Sequence, residues 1–446
     1  MRPTYAFSVR HRDVWAIALP ATLAFITEPL AGLVDLTVIG RLGDANLLGG
    51  LVLGALAFDF IFSMLFFLRL GTAGLVAQSV GGRDPYEGLI HFARAALMGI
   101  AIGLALLLLT VPLRALCVWL LGPDPGVSEP FRVYLAVRLW SAPFVLINFA
   151  LLGWFYGRAQ ATTGLLLQGL VHGGNMIFSV LFVYGFGWGV AGVAWGTVLA
   201  QAISALVGLW LVVRYFGGMR RIVEILPWSA LLEVPALVRL FALSRDLMIR
   251  SAALMGAFAY FTAQTAREGA VILAANAVVL NFQMITAFFL DGQAQAAEQI
   301  CGKAIGANYR PAFERAVKLA MLWGFVISGG LFAFWIIAGP SLIDLMTTAP
   351  EVRGAGRDFL LIAAFTALTG VMPFVMDGVM TGATLNTIIR NGMVAAFLIF
   401  LASALALQPL FGVYGLWAAL HIFFVARGLI FWFAVQRKMP ALFAAY

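Results

Sequence analysis

Residues 189–213 read GVAGVAWGTVLAQAISALVGLWLVV, an apolar run without one charged side chain. A helix needs ~20 such residues to cross about 30 Å of hydrocarbon, so this run is long enough to span a bilayer. Its opening, GVAGVAW (189–195), returns as GVYGLWA (412–418), 223 positions later. Two further echoes keep nearly the same offset. Pro143-Phe144-Val145 returns as Pro373-Phe374-Val375 at 230, and Arg41-Leu42-Gly43 returns more loosely as Arg267-Glu268-Gly269 at 226. Echoes in one order at nearly one offset imply a duplication.

Working outward, comparable runs fall near 14–36, 47–79, 92–121, 131–156, 162–185, 236–265, 270–300, 315–346, 358–382, 388–408 and 412–436. The expected fold is therefore an all-α integral membrane protein of twelve helices in two pseudo-symmetric six-helix bundles. Composition agrees: 63% of residues are hydrophobic, 11% are charged, and the mean hydropathy is +0.98. A soluble domain has about a quarter of its residues charged. The longest loop, 214–235, is basic and contains Pro227 and Pro235. It divides a lobe at 1–213 from a lobe at 236–446. Six spans per repeat is an even number, so both repeats face the same way, as in transporters with parallel repeats.

The net charge of +8 sits in short loops and reads as orientation, with no basic-aromatic pattern for nucleic acid. With the N-terminus inside, nineteen Lys and Arg, from Arg2 to Lys438 and including Arg427, fall in cytoplasmic segments. Seven fall outside: Arg41, Arg114, Arg132, Arg138, Arg267, Arg353 and Arg357. Arg69 and Arg250 lie within spans. Lys and Arg are retained on the cytoplasmic side, so both termini are expected inside a bacterial inner membrane. Cys117 and Cys301 fall near opposite faces and are not expected to pair. There is no Cys/His cluster, HExxH, P-loop or GxSxG. These absences remove the usual grounds for a metal site, nucleotide-driven transport or a membrane hydrolase. A monomer without cofactor is expected.

Charged side chains within spans are costly and tend to be functional or paired. In the first half they are Glu28, Asp35, Asp59 and Arg69. Asp35, at the outer end of span 1, reads either as an interfacial carboxylate or as a protonatable group facing a cavity. Asn175 and Ser179 are four apart and share a helix face. With Thr197 on span 6 they form a candidate polar cluster, although small polar residues often only bond helix to helix. In the second half, Asp246, Arg250, Asp291, Glu298, Asp377 and Arg390 fall toward the cytoplasmic helix ends. They read as an ion-pair network closing that lobe, with a second proton site as the alternative. His172 and His421 read as hydrogen-bonded helix residues.

Several ordered stretches then carry a resemblance: PLAGLVDLTVIGRLG (29–43), FLRLGTAGLVAQSVG (67–81), RLWSAP (138–143), LLGWFYG (151–157), LSRDLMIRS (243–251), LDGQAQAAE (290–298), GKAIGA (302–307) and MDGVMTGAT (376–384). The chain resembles the MATE (multidrug and toxic compound extrusion) transporters, and among them the DinF subfamily. The resemblance covers nearly the whole length. It implies two six-helix bundles and export of amphipathic, often cationic compounds against an inward ion gradient, the ion being a proton held in the N-terminal lobe. The subfamily's span 1 aspartate matches Asp35, its span 5 asparagine Asn175 and its span 6 threonine Thr197. The usual NxxxD of span 5 reads Asn175-Met176-Ile177-Phe178-Ser179 here, so a second carboxylate is missing. Glu28, seven residues before Asp35 and nearly eclipsed with it on a helix, is a candidate replacement.

The reading is a secondary transporter, not an enzyme. It is a proton-coupled multidrug antiporter working by alternating access, with Asp35, Asn175, Thr197, Ser179 and Glu28 at the coupling site. The alternatives are a flippase or exporter of a lipid-linked or amphipathic metabolite on the same fold, and a sodium-coupled antiporter. A flippase cavity is expected to be strongly basic, and only Arg69 and Arg250 lie well inside spans.

Overall fold

The computed structural model describes the backbone of residues 4–226, 228–231 and 233–443. Arg2 and Pro227 lie outside the described residues, as does the side chain of Arg239. The first half comprises α1 (His11–Gly40), α2 (Ala45–Leu65), α3 (Phe67–Gly81), α4 (Pro85–Leu108), α5 (Thr110–Leu121), α6 (Pro125–Arg138), α7 (Ala142–Gly157), α8 (Ala161–Val180) and α9 (Gly189–Tyr215). Two short helices follow, α10 (Met219–Ile225) and α11 (Trp228–Leu231). The second half comprises α12 (Val234–Arg267), α13 (Ala270–Gly306), α14 (Arg310–Met346), α15 (Pro350–Gly382), α16 (Asn386–Phe411) and α17 (Val413–Leu442).

Among the described residues, 11 helical stretches are long and apolar enough to cross a membrane. With α12 they are the twelve expected spans. Span 2 is α2 continued by α3 past a break at Phe66, and span 4 is α6 continued by α7 through a 3₁₀ turn at Leu139–Ser141. Large apolar side chains such as Leu108, Ile337 and Leu345 are 80–85% exposed, a surface that lipid covers without penalty. Every span is helical because hydrocarbon offers the backbone no hydrogen-bond partner outside its own helix.

The duplication is written in the backbone. Gly43 and Gly269, in the first turn of each half, have φ +75° and +112°. Gly189 and Gly412, at the start of each half's last helix, have φ +53° and +56°. Glycine recurs there because a Cβ disfavours positive φ. The four non-glycine residues with positive φ also form two pairs, Arg83 with Asn308 and Ala159 with Thr384, each 225 positions apart. Each ends a helix with the same long bond to the carbonyl five residues back: Asp84 to Ser79, Gln160 to Phe155, Tyr309 to Ala304 and Leu385 to Met380, all 2.9–3.0 Å. This is the bond pattern that closes a helix C-terminus on a left-handed residue.

The described chain packs as two compact units. One holds Leu23–Val80 and Asp84–Ser244, the other Met1–Thr22, Gly81–Arg83 and Arg245–Tyr446. This partition differs from a cut at 214–235, since the first 22 residues pack with the second half. The Tyr5 N–H donates to the Ala307 carbonyl at 2.9 Å, Trp323 Nε1 to His11 Nδ1 at 3.2 Å, and Thr22 lies against Gly292. The core of that unit is a buried aromatic group, with Phe261 edge-on to Trp417 and Phe400 edge-on to Phe423. In the other unit Val38 and Ile39 pack with Val183, Val193 and Ala194.

Candidate ion-coupling site

In the first unit, α1, α8 and α9 bring Asp35, Asn175, Ser179 and Thr197 together. Close approach of α8 and α9 is possible because Gly196 faces the backbone of Phe178 and Ser179, where a Cβ would meet the Ser179 nitrogen at 2.8 Å. Asn175, Ser179 and Thr197 are buried. Asn175 Nδ2 donates to Thr197 Oγ1 at 2.8 Å and to Ser179 Oγ at 3.3 Å. The Thr197 hydroxyl donates to the Val193 carbonyl at 3.1 Å. Asp35 is half-buried, and Ser179 and Asn175 are the polar side chains that act on its carboxyl. No donor reaches Asp35 Oδ1 or Asn175 Oδ1 in hydrogen-bonding geometry, although both atoms are buried. Directly after Ser179 the helix widens into a π turn over Leu181–Gly185, whose Tyr184 hydroxyl donates to the Val38 carbonyl at 3.1 Å. Such turns carry backbone that is not locked into the regular ladder.

Glu28 belongs to a different group. Asp59 and Arg69 are the charges that act on it. Arg69 is buried among the ring faces of Phe25, Phe66 and Tyr156, at 4.9, 4.7 and 5.1 Å. The structure thus places Glu28 with span 2 and not with the Asn175–Ser179 face.

The residue missed from sequence is Arg138. Counted above with the outer loops, it lies within the span Pro125–Gly157. Its guanidinium sits 3.8 Å from the centre of the Phe58 ring, donates to Ser141 Oγ at 2.5 Å, and acts electrostatically on both Asp35 and Asp59. The hydropathy run 131–156 already contains position 138, and α6 begins earlier still, at Pro125, which sets Arg138 more than three turns inside the helical stretch. The RLWSAP motif was the available signal.

In the second unit the six charged residues fall into two groups. Asp246, on α12 and buried, accepts from Arg390 Nη1 at 2.7 Å, Thr387 at 2.7 Å and Arg245 at 3.3 Å. Asp377, on α15, accepts from Arg250 on α12 and from Arg427 on α17. Asp291 and Glu298, on α13, add negative charge around Arg250, and Glu298 accepts from Gln295 at 3.0 Å. Arg427, counted above as cytoplasmic, is only 1% exposed and lies near the rings of Phe374 and Phe431. Moving Arg138 and Arg427 into spans leaves a bias of eighteen to six, in the same direction. His421 bridges Thr369 Oγ1 and the Ile362 carbonyl, both at 3.0 Å, the helix-to-helix role read for it. No group of three His, Cys, Asp or Glu suited to a metal occurs among the described residues.

Residues 20–181 and 247–410 match the MatE family model, one block in each half. The chain belongs to the MatE family. This MatE-family chain is 34% identical to DNA damage-inducible protein F of Escherichia coli (strain K12), over 94% of its own length and 90% of the relative's. It is 24% identical to a probable multidrug resistance protein NorM of Chromobacterium violaceum, over 96% and 93% of the two lengths. A solved outward-facing structure of a multidrug resistance MATE family transporter of the MOP superfamily superposes with TM-score 0.87 at 17% identity, covering 98% of this chain and 97% of that one. The all-helical twelve-span fold is thus the MATE fold, and the protein is a multi-pass membrane transporter of the DinF type rather than an enzyme.

Proposed function

We propose that this transporter is a proton-coupled multidrug antiporter of the bacterial inner membrane. In this reading it exports amphipathic, often cationic compounds, and Asp35 carries the proton. Both termini are cytoplasmic, the driving force is the proton gradient without a cofactor, and the working unit is the monomer. The observation that carries the reading is a half-buried carboxyl, Asp35, set against Asn175 and Ser179 without an arginine bound to it, its Oδ1 buried and short of a donor in hydrogen-bonding geometry. An unsatisfied buried acceptor is costly. A proton on Asp35 removes the charge and supplies the missing donor together.

Sodium fits less well. Arg138 already sets a fixed positive charge near Asp35, and Ser179 stands where a second carboxylate would offer another hard ligand. Protonation changes which packing around the π turn is favoured, and an equilibrium between two states moves only by such a differential interaction. A cationic compound prefers the deprotonated site, so proton entry and compound release are linked. The names of two relatives, a multidrug resistance protein and a multidrug resistance transporter, support the substrate class.

The test is transport of a fluorescent cationic dye in proteoliposomes under an imposed pH gradient or an imposed sodium gradient. Export driven by pH alone is expected. Export driven only by sodium would replace the proton in this account.

A further inference from the structure

Away from the coupling cluster, toward the opposite end of α9, the same unit contains a cavity of about 280 Å³ that the transport cycle leaves unused. It is walled almost wholly by apolar side chains, among them Phe92, Ala93 and Leu97 of α4, Val213 of α9, and Met219 and Ile222 of α10. Leu97, Met219 and Val223 are exposed at its edge, so the cavity opens outward along the span surface. An apolar channel of this kind takes a flexible hydrocarbon chain.

The mouth has the opposite character. Helix α10, MRRIVEI, is a short amphipathic segment that follows the end of span 6. Its apolar residues close the cavity, while Arg220 and Arg221 are exposed. Arg220 is paired with Glu224 at 3.0 Å. Arg221 folds back over Gly217 at the turn between α9 and α10, its Nη1 3.7 Å from where a Cβ of Gly217 would stand. Arg214 is exposed beside Val213, its guanidinium 5.3 Å from the centre of the Trp210 ring. Trp210 and Tyr215 are themselves about half exposed, as aromatic side chains are at the headgroup level of a bilayer. After the Arg220–Glu224 pair cancels, Arg214 and Arg221 leave a net positive rim over an apolar slot.

We propose that this cavity is a binding site for an anionic phospholipid. One acyl chain lies between α4, α9 and α10, and the headgroup phosphate is held by Arg214 and Arg221. The site does not depend on which ion drives transport. A zwitterionic lipid fills the slot equally well but gains little from the rim, whereas a basic residue near the surface attracts anionic headgroups measurably.

The experiment is native mass spectrometry of the full chain released from detergent with phosphatidylglycerol and phosphatidylcholine of identical acyl chains. Preferential retention of phosphatidylglycerol is expected. The exposed double variant Arg214→Gln/Arg221→Gln should lose retention by about fivefold for each arginine removed, with phosphatidylcholine unchanged. Ala93→Leu, which narrows the slot, should reduce retention of both lipids. If that variant melts early, the arginine variant still decides, because its side chains are at the surface. Equal retention of the two lipids, or wild-type retention in the arginine variant, would overturn the proposal. So would a dimer peak abolished by Ala93→Leu, which would make the slot a contact between two copies.

Discussion

Asp35 and Asp377 are both span carboxylates, one in each unit, and their surroundings are opposite. Asp377 is held by two arginines, one of them fully buried. Each has one oxygen that no donor reaches, but Asp35 has only hydroxyl and amide neighbours, Ser179 and Asn175, and the cation that acts on it, Arg138, is held by Phe58 and Ser141 instead. A carboxylate whose charge is matched in place stabilises one packing, and removing it leaves charge stranded. A carboxylate in a poorly solvated place that no bound cation neutralises is the one that gains from taking a proton. Duplication made the scaffold twice, and in the proposed reading the two copies diverged into a clamp and an exchange site.

Asp35→Asn should have the largest effect. Coupled dye export in proteoliposomes should fall to background, because the amide keeps the shape and cannot titrate, while the melting temperature in detergent stays close to wild type. Export that persists under a pH gradient would show that Asp35 is not the exchanging group. Asp377→Asn should show the reverse emphasis. Arg250 and Arg427 lose their shared acceptor, and a broken buried pair costs ~3 kcal/mol, so the thermal melt should shift down by several degrees. An unchanged melt with lost coupling would move Asp377 to the ion site and erase the contrast.

A smaller effect sharpens the symmetric part of the picture. Gly189→Ala and Gly412→Ala should each destabilise by ~1–2 kcal/mol, since alanine is strained where φ is near +55°. Equal losses in the two variants would show that both halves use the same helix start. The smallest expected change is a gain. Ala159→Gly and Thr384→Gly relieve matching left-handed residues and should leave the melt unchanged or raise stability by less than ~1 kcal/mol, strain relief being offset by the extra freedom of glycine in the unfolded chain. A clear loss in either would mean that the side chain packs in a way its backbone partner does not.

Much of this was readable beforehand. Span number follows from composition, because in hydrocarbon a helix must satisfy its own backbone and therefore needs a minimum apolar length. The echoes at 189 and 412, and at 41 and 267, were legible because positive φ selects glycine strongly enough to keep the letter. The matching turns at Arg83 and Asn308, or Ala159 and Thr384, were not legible, because a tertiary setting holds them left-handed against weak local preference.

By itself the sequence determined the twelve spans, the duplication, and Asp35, Asn175, Ser179 and Thr197 as a group, since helical periodicity and motif order are local properties. Depth and partnership of charge were decided only by the tertiary structure. Arg138 and Arg427 stand inside their hydropathy runs and were still counted with the loops, because position along a run does not show that a charge has a partner at depth; Arg427 meets Asp377, and Arg138 meets Phe58 and Ser141. Glu28 is in register with Asp35 along one helix, but side chains meet across helices, and the packing of spans 1 and 2 gives it Asp59 and Arg69 instead. A long flexible cation finds its acceptor through packing in three dimensions, which no one-dimensional spacing encodes.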